Sequence, residues 1–273
     1  MENSCEPIFR SHSRANSSPQ ARRTRAFAES VVVAGAASDA GSRAFLAKSL
    51  PVVLERIANA ARRAGRNPAE VRLMAVTKGF PRETVEAALS SGITLLGENR
   101  VQEAELKYAE IAGSFELHLV GHLQRNKART ASGLFSCVQS IDKEETATAL
   151  DSRLAERGKS MDILLELNTS GELSKSGFRS RGELIGFLDT LGRLPHLRLR
   201  GLMTVGPLGA DTAAVRESFA ALRALFDEIR SGNSFESFDV LSMGMSGDFE
   251  TAIEQGSTLV RIGTALFGQR GQG

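Results

Sequence analysis

The chain has 273 residues, and its 34 lysines and arginines nearly balance its 32 aspartates and glutamates. This balance argues against a general nucleic-acid binder, because such a protein carries basic residues along one face. The apolar share of 41% suits a globular protein of one large or two ordinary domains. No apolar run approaches the roughly 20 residues of a membrane-spanning helix, so we expect no membrane partner.

The first segment, residues 1–42, differs in composition from the rest of the chain. It is rich in serine, arginine and alanine, shows no clear period, and has no acidic residue between Pro7 and Ala28. This composition is similar to that of a mitochondrial or plastid transit peptide. The alternative is a disordered tail on a cytoplasmic protein. The two cysteines, Cys5 and Cys137, form no disulfide framework, which favours a reducing compartment such as the cytoplasm.

From residue 43 onward, helical and strand patterns alternate along the chain. The first helix has apolar residues at helical spacing and ends near Gly65; these residues are Leu50, Val53, Leu54, Ile57 and Ala61. Strands are predicted at 71–78, 94–99, 116–121, 134–141, 161–168, 197–206, 239–245 and 258–268. The helices between them are predicted at 81–92, 101–113, 124–132, 142–158, 180–194, 212–232 and 247–256. Asp142 is the expected N-cap of the fourth of these helices.

Strands that alternate with helices predict a parallel sheet. Eight such units in about 225 residues match a single (β/α)₈ TIM barrel, which we assign to residues 43–273. The helix before the first strand would then serve as the eighth outer helix. The alternative is an open doubly wound sheet, which needs a G-x-G-x-x-G turn after its first strand. The segment "TKGFPRET" at residues 77–84 lacks that turn.

In a barrel of this type, the active site lies at the carboxyl ends of the strands. The polar or small residues predicted at those ends are Lys78, Glu98, Asn99, His122, Asn168, Thr204, Ser242, Ser246, Arg261, Gly263 and Thr264. Small and hydroxyl residues after the last two strands predict a phosphate site, because backbone N–H groups and a helix N-terminus favour an anion there. Pyridoxal phosphate needs such a cradle for its phosphate and a lysine for its aldehyde. The alternative is that Lys78 only lines the barrel rim or pairs with Glu98.

Two other chemistries are excluded by spacing. His118 and His122 have the i,i+4 spacing of a metal site on a helix, but on a strand they would lie roughly 13 Å apart. We therefore predict no metal. The loop "GELSKSG" at residues 171–177 lacks the G-x-x-x-x-G-K-[ST] spacing of a nucleotide-binding loop.

Seven blocks of the sequence carry a resemblance to a known family. They are "AVTK" (75–78), "GENRVQE" (97–103), "HLVGHLQRNK" (118–127), "SKSGF" (174–178), "RGLMTVG" (200–206), "LSMGMS" (241–246) and "VRIGTALFG" (260–268). In this order and spacing, from about Leu46 to Arg270, the chain closely resembles the pyridoxal phosphate homeostasis proteins of the YggS/PROSC family.

The resemblance implies a barrel like the N-terminal domain of alanine racemase, which is pyridoxal phosphate fold type III, without the C-terminal β domain. It implies that Lys78 forms a Schiff base with pyridoxal 5′-phosphate and that Arg261 approaches the pyridine nitrogen. It places Asn99 beside the ring, Met203 and Met243 near it, and the phosphate on Ser242, Ser246 and the backbone of Gly263 and Thr264. Two departures from the family pattern are Arg100, where many members carry tyrosine, and Gly247, where an acid is frequent.

Racemase chemistry needs a second base on the opposite face of the substrate. In alanine racemases this base is a tyrosine from a C-terminal domain, and the only tyrosine of this chain, Tyr108, is predicted mid-helix on the outer ring, far from the mouth. A racemase is therefore not expected. The resemblance instead implies a protein that carries and buffers pyridoxal phosphate for vitamin B6 and amino-acid homeostasis, and we expect it to be a monomer with enzymes that lack the cofactor as partners. The alternative is a racemase-like, pyridoxal-phosphate-dependent enzyme of undetected activity.

Overall fold

The computed structural model describes residues 19–232, 235 and 237–269, with side chains from residue 41 onward. The chain divides into two units after residue 40, and the second unit, residues 41–273, contains the strands. Residues 1–18 lie outside the described part of the chain. The disordered or targeting role expected for residues 1–42 therefore stays a prediction.

Eight parallel strands form a closed barrel in which each strand pairs with its neighbours in sequence and β8 pairs with β1. The strands are β1 (Arg72–Val76), β2 (Leu95–Glu98), β3 (Glu116–Leu119), β4 (Cys137–Ile141), β5 (Met161–Glu166), β6 (Leu197–Met203), β7 (Val240–Ser242) and β8 (Leu259–Ile262). The predicted (β/α)₈ barrel is confirmed. The doubly wound alternative is wrong. An open sheet has two edge strands that each pair on one side only, whereas every strand here pairs with two neighbours.

Helices follow the strands on the outside of the barrel. The described α-helices are α1 (Pro19–Arg63), α2 (Arg82–Ser90), α3 (Val101–Tyr108), α4 (Ala128–Leu134), α5 (Glu144–Ala155), α6 (Arg181–Leu191), α7 (Thr212–Ser231), α8 (Phe249–Glu254) and α9 (Thr264–Phe267). Helix α7 illustrates how they pack: Val215, Phe219, Leu222, Phe226 and Ile229 recur three or four residues apart and are all buried. Among the described helices, none is both long and apolar enough to span a bilayer.

Helix α1 begins well before the position that the sequence predicted. It starts at Pro19, whereas the apolar period starts only near residue 43. The added stretch is rich in alanine and arginine, which are strong helix formers even without an apolar face. Val53 and Ile57 are buried as expected, but Leu54 is 48% exposed because it lies about 100° around the helix from Val53.

The end of the last strand was predicted wrongly. Residues 258–268 were expected to form one strand, but β8 ends at Ile262 and Thr264–Phe267 form the helical turn α9. A short apolar run such as "TALF" has no period that separates a strand from a helix. The consequence is functional, because the first N–H groups of a helix have no partner within the helix, and such a helix start lies at the end of β8.

Candidate functional site

A cavity of about 540 Å³ opens at the carboxyl ends of the strands. Its volume falls within the range of about 300–1,000 Å³ that is typical of small-molecule sites. Six of the predicted site residues line it: Lys78, Asn99, Ser246, Arg261, Gly263 and Thr264. The other lining residues are Val76, Phe80, Val120, Val205, Leu208, Met245 and Gly247, so the cavity combines an apolar body with a few polar groups.

The loop after β7 and the start of α9 form one side of the cavity. The Ser246 hydroxyl oxygen accepts hydrogen bonds from the backbone N–H groups of Gly263, at 3.3 Å, and Ala265, at 3.2 Å. A hydroxyl oxygen in this position marks where an anionic oxygen would also be stabilised. Gly247, one of the two departures from the family pattern, lines the cavity here and has no atom near the position of an added Cβ.

Arg261 is a nearly fully buried arginine that lines the same cavity. Its Nη1 donates to the Ser242 hydroxyl at 2.6 Å, and its Nη2 donates to the Thr204 carbonyl at 2.7 Å. Burial lowers the pKa of Arg261 to about 10, opposed by the charges of Glu166 and Asp248. The guanidinium therefore stays protonated at neutral pH and is held in one orientation.

Three predicted site residues do not line the cavity. Met203 is fully buried and packs with Cys137 and Leu164, and Met243 is likewise fully buried in the main core. Ser242 is also fully buried, and its hydroxyl is engaged inside the protein with Arg261. These residues support the residues that line the cavity.

The segment that carries Lys78 is fixed on both sides of that residue. The Thr77 carbonyl accepts a hydrogen bond from Lys107 Nζ at 2.7 Å, and the Gly79 N–H donates to Glu103 Oε1 at 2.6 Å. Lys107 and Glu103 are one helical turn apart on α3 and are themselves joined at 2.9 Å. The half-buried Lys78 side chain thus extends into the cavity from a backbone held by a single helix.

Glu98 was expected at the mouth, but its side chain is fully buried and faces α3. Its Oε1 accepts from Lys107 Nζ at 2.8 Å and from the Thr77 hydroxyl at 2.7 Å. Burial raises the pKa of Glu98, and the hydrogen bonds from Lys107 and Thr77 oppose that rise. Its second carboxylate oxygen, Oε2, is buried without a hydrogen-bond partner.

Tyr108 is closer to the site than the sequence suggested. It is the last residue of α3, is buried, and its hydroxyl lies 2.8 Å from the Thr77 hydroxyl oxygen. The prediction that it lies mid-helix and far from the mouth is wrong, because the inner face of α3 packs against the end of β1. Burial raises the pKa of the Tyr108 phenol far above its usual range, so this residue is a hydrogen-bond donor and no base.

Asn99 lies where two cavities meet. Its Oδ1 is buried and has no hydrogen-bond partner within the protein, which is costly unless a ligand supplies a donor. The backbone of Gly121 packs directly on Asn99, since a Cβ on Gly121 would lie 2.2 Å from the Asn99 carbonyl oxygen. Glycine at this position therefore allows the loop after β3 to support Asn99.

A smaller cavity of about 200 Å³ adjoins the first and shares Asn99, Val120 and Val205 with it. It is lined by further residues from strand ends and loops, among them His122, Glu166, Asn168, Lys175 and Ser176. Burial, together with the charge of Asp142, raises the pKa of Glu166 to about 7. The sequence carries a signal for Glu166, namely a carboxylate at the carboxyl end of the strand "MDILLE", after three consecutive apolar residues.

Asp142 does not cap a helix as predicted. The N-cap of α5 is Lys143, and Asp142 Oδ2 instead accepts from the Gly177 N–H at 3.1 Å and lies 3.7 Å from His122 Nδ1. The Asp142 carboxylate is therefore engaged by the loop after β5 and does not cap the helix. His122 lines the smaller cavity and lies beside Asp142, whereas His118 lies inside the barrel, so the two histidines do not form a common site.

Comparisons with known proteins agree with this geometry. Residues 52–271 match the family model described as alanine racemase, N-terminal domain. The pyridoxal phosphate homeostasis protein of Pseudomonas aeruginosa is 41% identical over 84% of this chain and 97% of its own length. The structure of PipY from Synechococcus elongatus with pyridoxal phosphate bound has a TM-score of 0.69 and 35% identity, and covers 79% of this chain and 100% of its own.

A structure of an unknown protein from Bifidobacterium adolescentis is also similar, with a TM-score of 0.77 and 35% identity. It covers 83% of this chain and 96% of its own. The matched region contains all eight strands and every residue that lines the cavity. The chain therefore belongs to the family of pyridoxal phosphate homeostasis proteins.

Proposed function

We propose that this protein binds pyridoxal 5′-phosphate in the 540 Å³ cavity and carries and buffers it for vitamin B6 and amino-acid homeostasis. The observation that carries the proposal is the joint lining of one cavity by a lysine from the end of β1 and a helix start after β8. The first offers an amine to the aldehyde, and the second offers N–H groups to the phosphate. The PipY structure with the cofactor bound supports the same ligand class.

The roles that we propose for single residues follow from their places around the cavity. The Lys78 amine condenses with the cofactor aldehyde, forming one C=N bond and releasing one water. Ser246, Gly263 and Thr264 hold the phosphate, and Asn99 contacts the ring. Arg261, held by Ser242, presents its remaining N–H groups to the cavity, and Met203 and Met243 support the wall behind it.

An absorbance titration tests the binding proposal. We expect the wild-type protein to develop the visible band of a protonated imine when pyridoxal phosphate is added, and Lys78→Ala to develop none. Lys159→Ala, at an exposed position between α5 and β5, is the matched control and should behave as wild type. Absence of the band in the wild-type protein, or its persistence in Lys78→Ala, contradicts the proposal.

A second candidate function, a racemase-like enzyme, is favoured by Glu166. This carboxyl group lines the adjoining cavity with a pKa near neutrality, as a group that exchanges protons requires. An amino-acid panel incubated with the holoprotein distinguishes the two functions. Sustained racemisation or transamination that depends on Lys78 and is lost in Glu166→Gln establishes the enzyme, and no turnover across the panel leaves the carrier function.

We also propose that the protein acts as a monomer in the cytoplasm and delivers the cofactor to enzymes that lack it. Support comes from the sequence pattern of a reducing compartment and from the family resemblance. The alternative is a mitochondrial or plastid location directed by residues 1–42. Sequencing the N-terminus of the mature protein from cells decides between them, and light scattering of the purified protein gives its oligomeric state.

A further inference from the structure

A continuous row of polar side chains crosses the interior of the barrel and ends at the cavity. Arg261 Nη1 donates to Ser242 Oγ at 2.6 Å, and Ser242 Oγ donates to Gln139 Oε1 at 2.7 Å. Gln139 Nε2 lies 2.9 Å from His118 Nδ1, and His118 Nε2 lies 3.6 Å from Glu116 Oε2. Glu116 is the first residue of β3 and is half exposed, so the row runs from the cavity to the opposite end of the barrel.

The row of side chains passes through the interior of the barrel and does not run along neighbouring strands. Gln139 lies on β4 and Ser242 on β7, and these strands are three places apart in the barrel, so their contact passes through the interior. Gln139 and Ser242 are fully buried, and His118 and Arg261 are less than 10% exposed. A buried polar row is costly unless all its members are paired, and then it fixes one arrangement of side chains.

The direction of every hydrogen bond follows from Arg261. A guanidinium only donates, so the Ser242 oxygen accepts from it and the Ser242 proton points to Gln139 Oε1. Gln139 then presents its NH₂ group to His118, so Nδ1 of His118 accepts. Neutral His118 therefore carries its proton on Nε2, which faces Glu116.

We propose that Gln139 and His118 are positioning residues for Arg261, which orient its guanidinium for a ligand in the cavity. This inference rests on the proposed function, because the ligand that it concerns is pyridoxal phosphate. Neither residue lines the cavity, and each acts through Ser242. The row also links ligand binding to the protonation of a histidine at the far end of the barrel.

Protonation of His118 reverses the hydrogen bond between His118 and Gln139. With protons on both ring nitrogens, Nδ1 must donate, so the Gln139 amide turns over and the Ser242 proton loses its acceptor. The charged groups that face His118 are Glu116, on its own strand, Arg72 from β1 and Asp162 from β5; the two carboxylates favour the proton, whereas Arg72 and burial oppose it. Ligand affinity should therefore fall as pH falls through the titration of His118.

Gln139→Met tests the positioning role, since it keeps the length of the side chain and removes both of its hydrogen bonds. We expect the dissociation constant for pyridoxal phosphate, measured by absorbance titration, to rise about tenfold, the effect of one buried hydrogen bond. The matched control is Ser257→Ala, which removes another buried hydroxyl hydrogen bond between β7 and β8 outside the row. Its affinity should stay within twofold of wild type.

Gln139→Glu gives a readout that a purely structural role would not change. The introduced carboxylate accepts from Ser242 and requires a proton on His118 Nδ1, so the pKa of His118 should rise. Proton–nitrogen NMR of the imidazole rings measures the pKa of His118 in the protein without ligand. The His118→Gln variant identifies the His118 signal among those of the four histidines of the chain. Ligand affinity in Gln139→Glu should return to within threefold of wild type.

The two arms separate this inference from the proposed function. If the wild-type protein forms no imine band, the proposed function fails. NMR of the ligand-free protein still tests the direction of the hydrogen bonds in the row. A His118 proton on Nδ1 in the neutral wild-type ring overturns the inference. Unchanged ligand affinity in Gln139→Met overturns it as well.

Discussion

On one side of the cavity the chain is held by charges, and on the other by a row of mainly uncharged side chains. The Lys78 wall consists of Thr77–Gly79 with Glu98, Glu103, Lys107 and Tyr108, in which Lys107 forms a buried ion pair with Glu98 and a partly buried one with Glu103. The Arg261 wall consists of Arg261, Ser242, Gln139 and His118, in which Arg261 is the only permanent charge.

The difference corresponds to what each wall presents to a ligand. Lys78 needs a fixed backbone at the end of β1, and the hydrogen bonds from Lys107 to the Thr77 carbonyl and from the Gly79 N–H to Glu103 hold that backbone. Arg261 needs a fixed side chain, and hydrogen bonds to the guanidinium itself provide that. The Lys78 wall should therefore respond to loss of charge and the Arg261 wall to change of pH.

The largest effect is expected from Lys107→Met on the Lys78 wall. It leaves Glu98 and the Thr77 carbonyl buried without their cation, and removing one partner of a buried ion pair costs about 3–5 kcal/mol of unfolding free energy. Urea denaturation measures the loss. The double variant Lys107→Met with Glu98→Gln should recover part of it, and equal stabilities of the single and double variants would contradict a paired Glu98.

Glu166→Gln should change how stability depends on pH. The folded protein raises the pKa of Glu166 to about 7, whereas an unfolded glutamate titrates near 4.3. The folded state therefore binds the proton more tightly, and wild-type stability falls as pH rises from about 4 to 7. The variant lacks this fall and should gain about 3–4 kcal/mol relative to wild type between pH 4 and pH 8. If the unfolding free energies of wild type and variant, measured by urea denaturation, changed with pH in parallel, the raised pKa of Glu166 would be refuted.

His118→Gln should remove a slope of the opposite sign. Burial lowers the pKa of His118 below that of an unfolded histidine, so the unfolded state binds the proton more tightly. Wild-type stability therefore falls as pH drops below about 6.5, by at most about 1.4 kcal/mol per pH unit. Thermal unfolding between pH 5 and pH 7.5 measures both slopes, and a steeper acid loss in the variant would count against a neutral buried His118.

The smallest effect is expected from Arg223→Ala, which breaks an ion pair with Asp227 at the same i,i+4 spacing as Glu103 and Lys107. Both of its side chains are at least 40% exposed. Solvent screens such pairs, and the change in unfolding free energy should stay below about 0.5 kcal/mol. This variant is the exposed control for Lys107→Met, and a loss as large as that of Lys107→Met would refute the role given to burial.

The barrel and the residues at its mouth were accessible from sequence because they follow from local patterns. The apolar run that ends on Lys78 and the small residues of "RIGTALFG" are both visible as short stretches of sequence. The Lys107–Glu98 ion pair could not be predicted in this way, since it depends on which face of α3 meets the end of β2. The role of Gln139 could not be predicted either, because its contact with Ser242 joins residues 103 positions apart across the barrel.

Reduction of the cofactor-loaded protein with borohydride, followed by peptide mass spectrometry, tests the central claim most directly. Reduction converts the imine into a stable amine and leaves the cofactor on the residue that bound it. We predict one modified lysine, Lys78, and loss of the modification in Lys78→Ala. Modification of Lys175, which lines the adjoining cavity, in place of Lys78 would contradict the account.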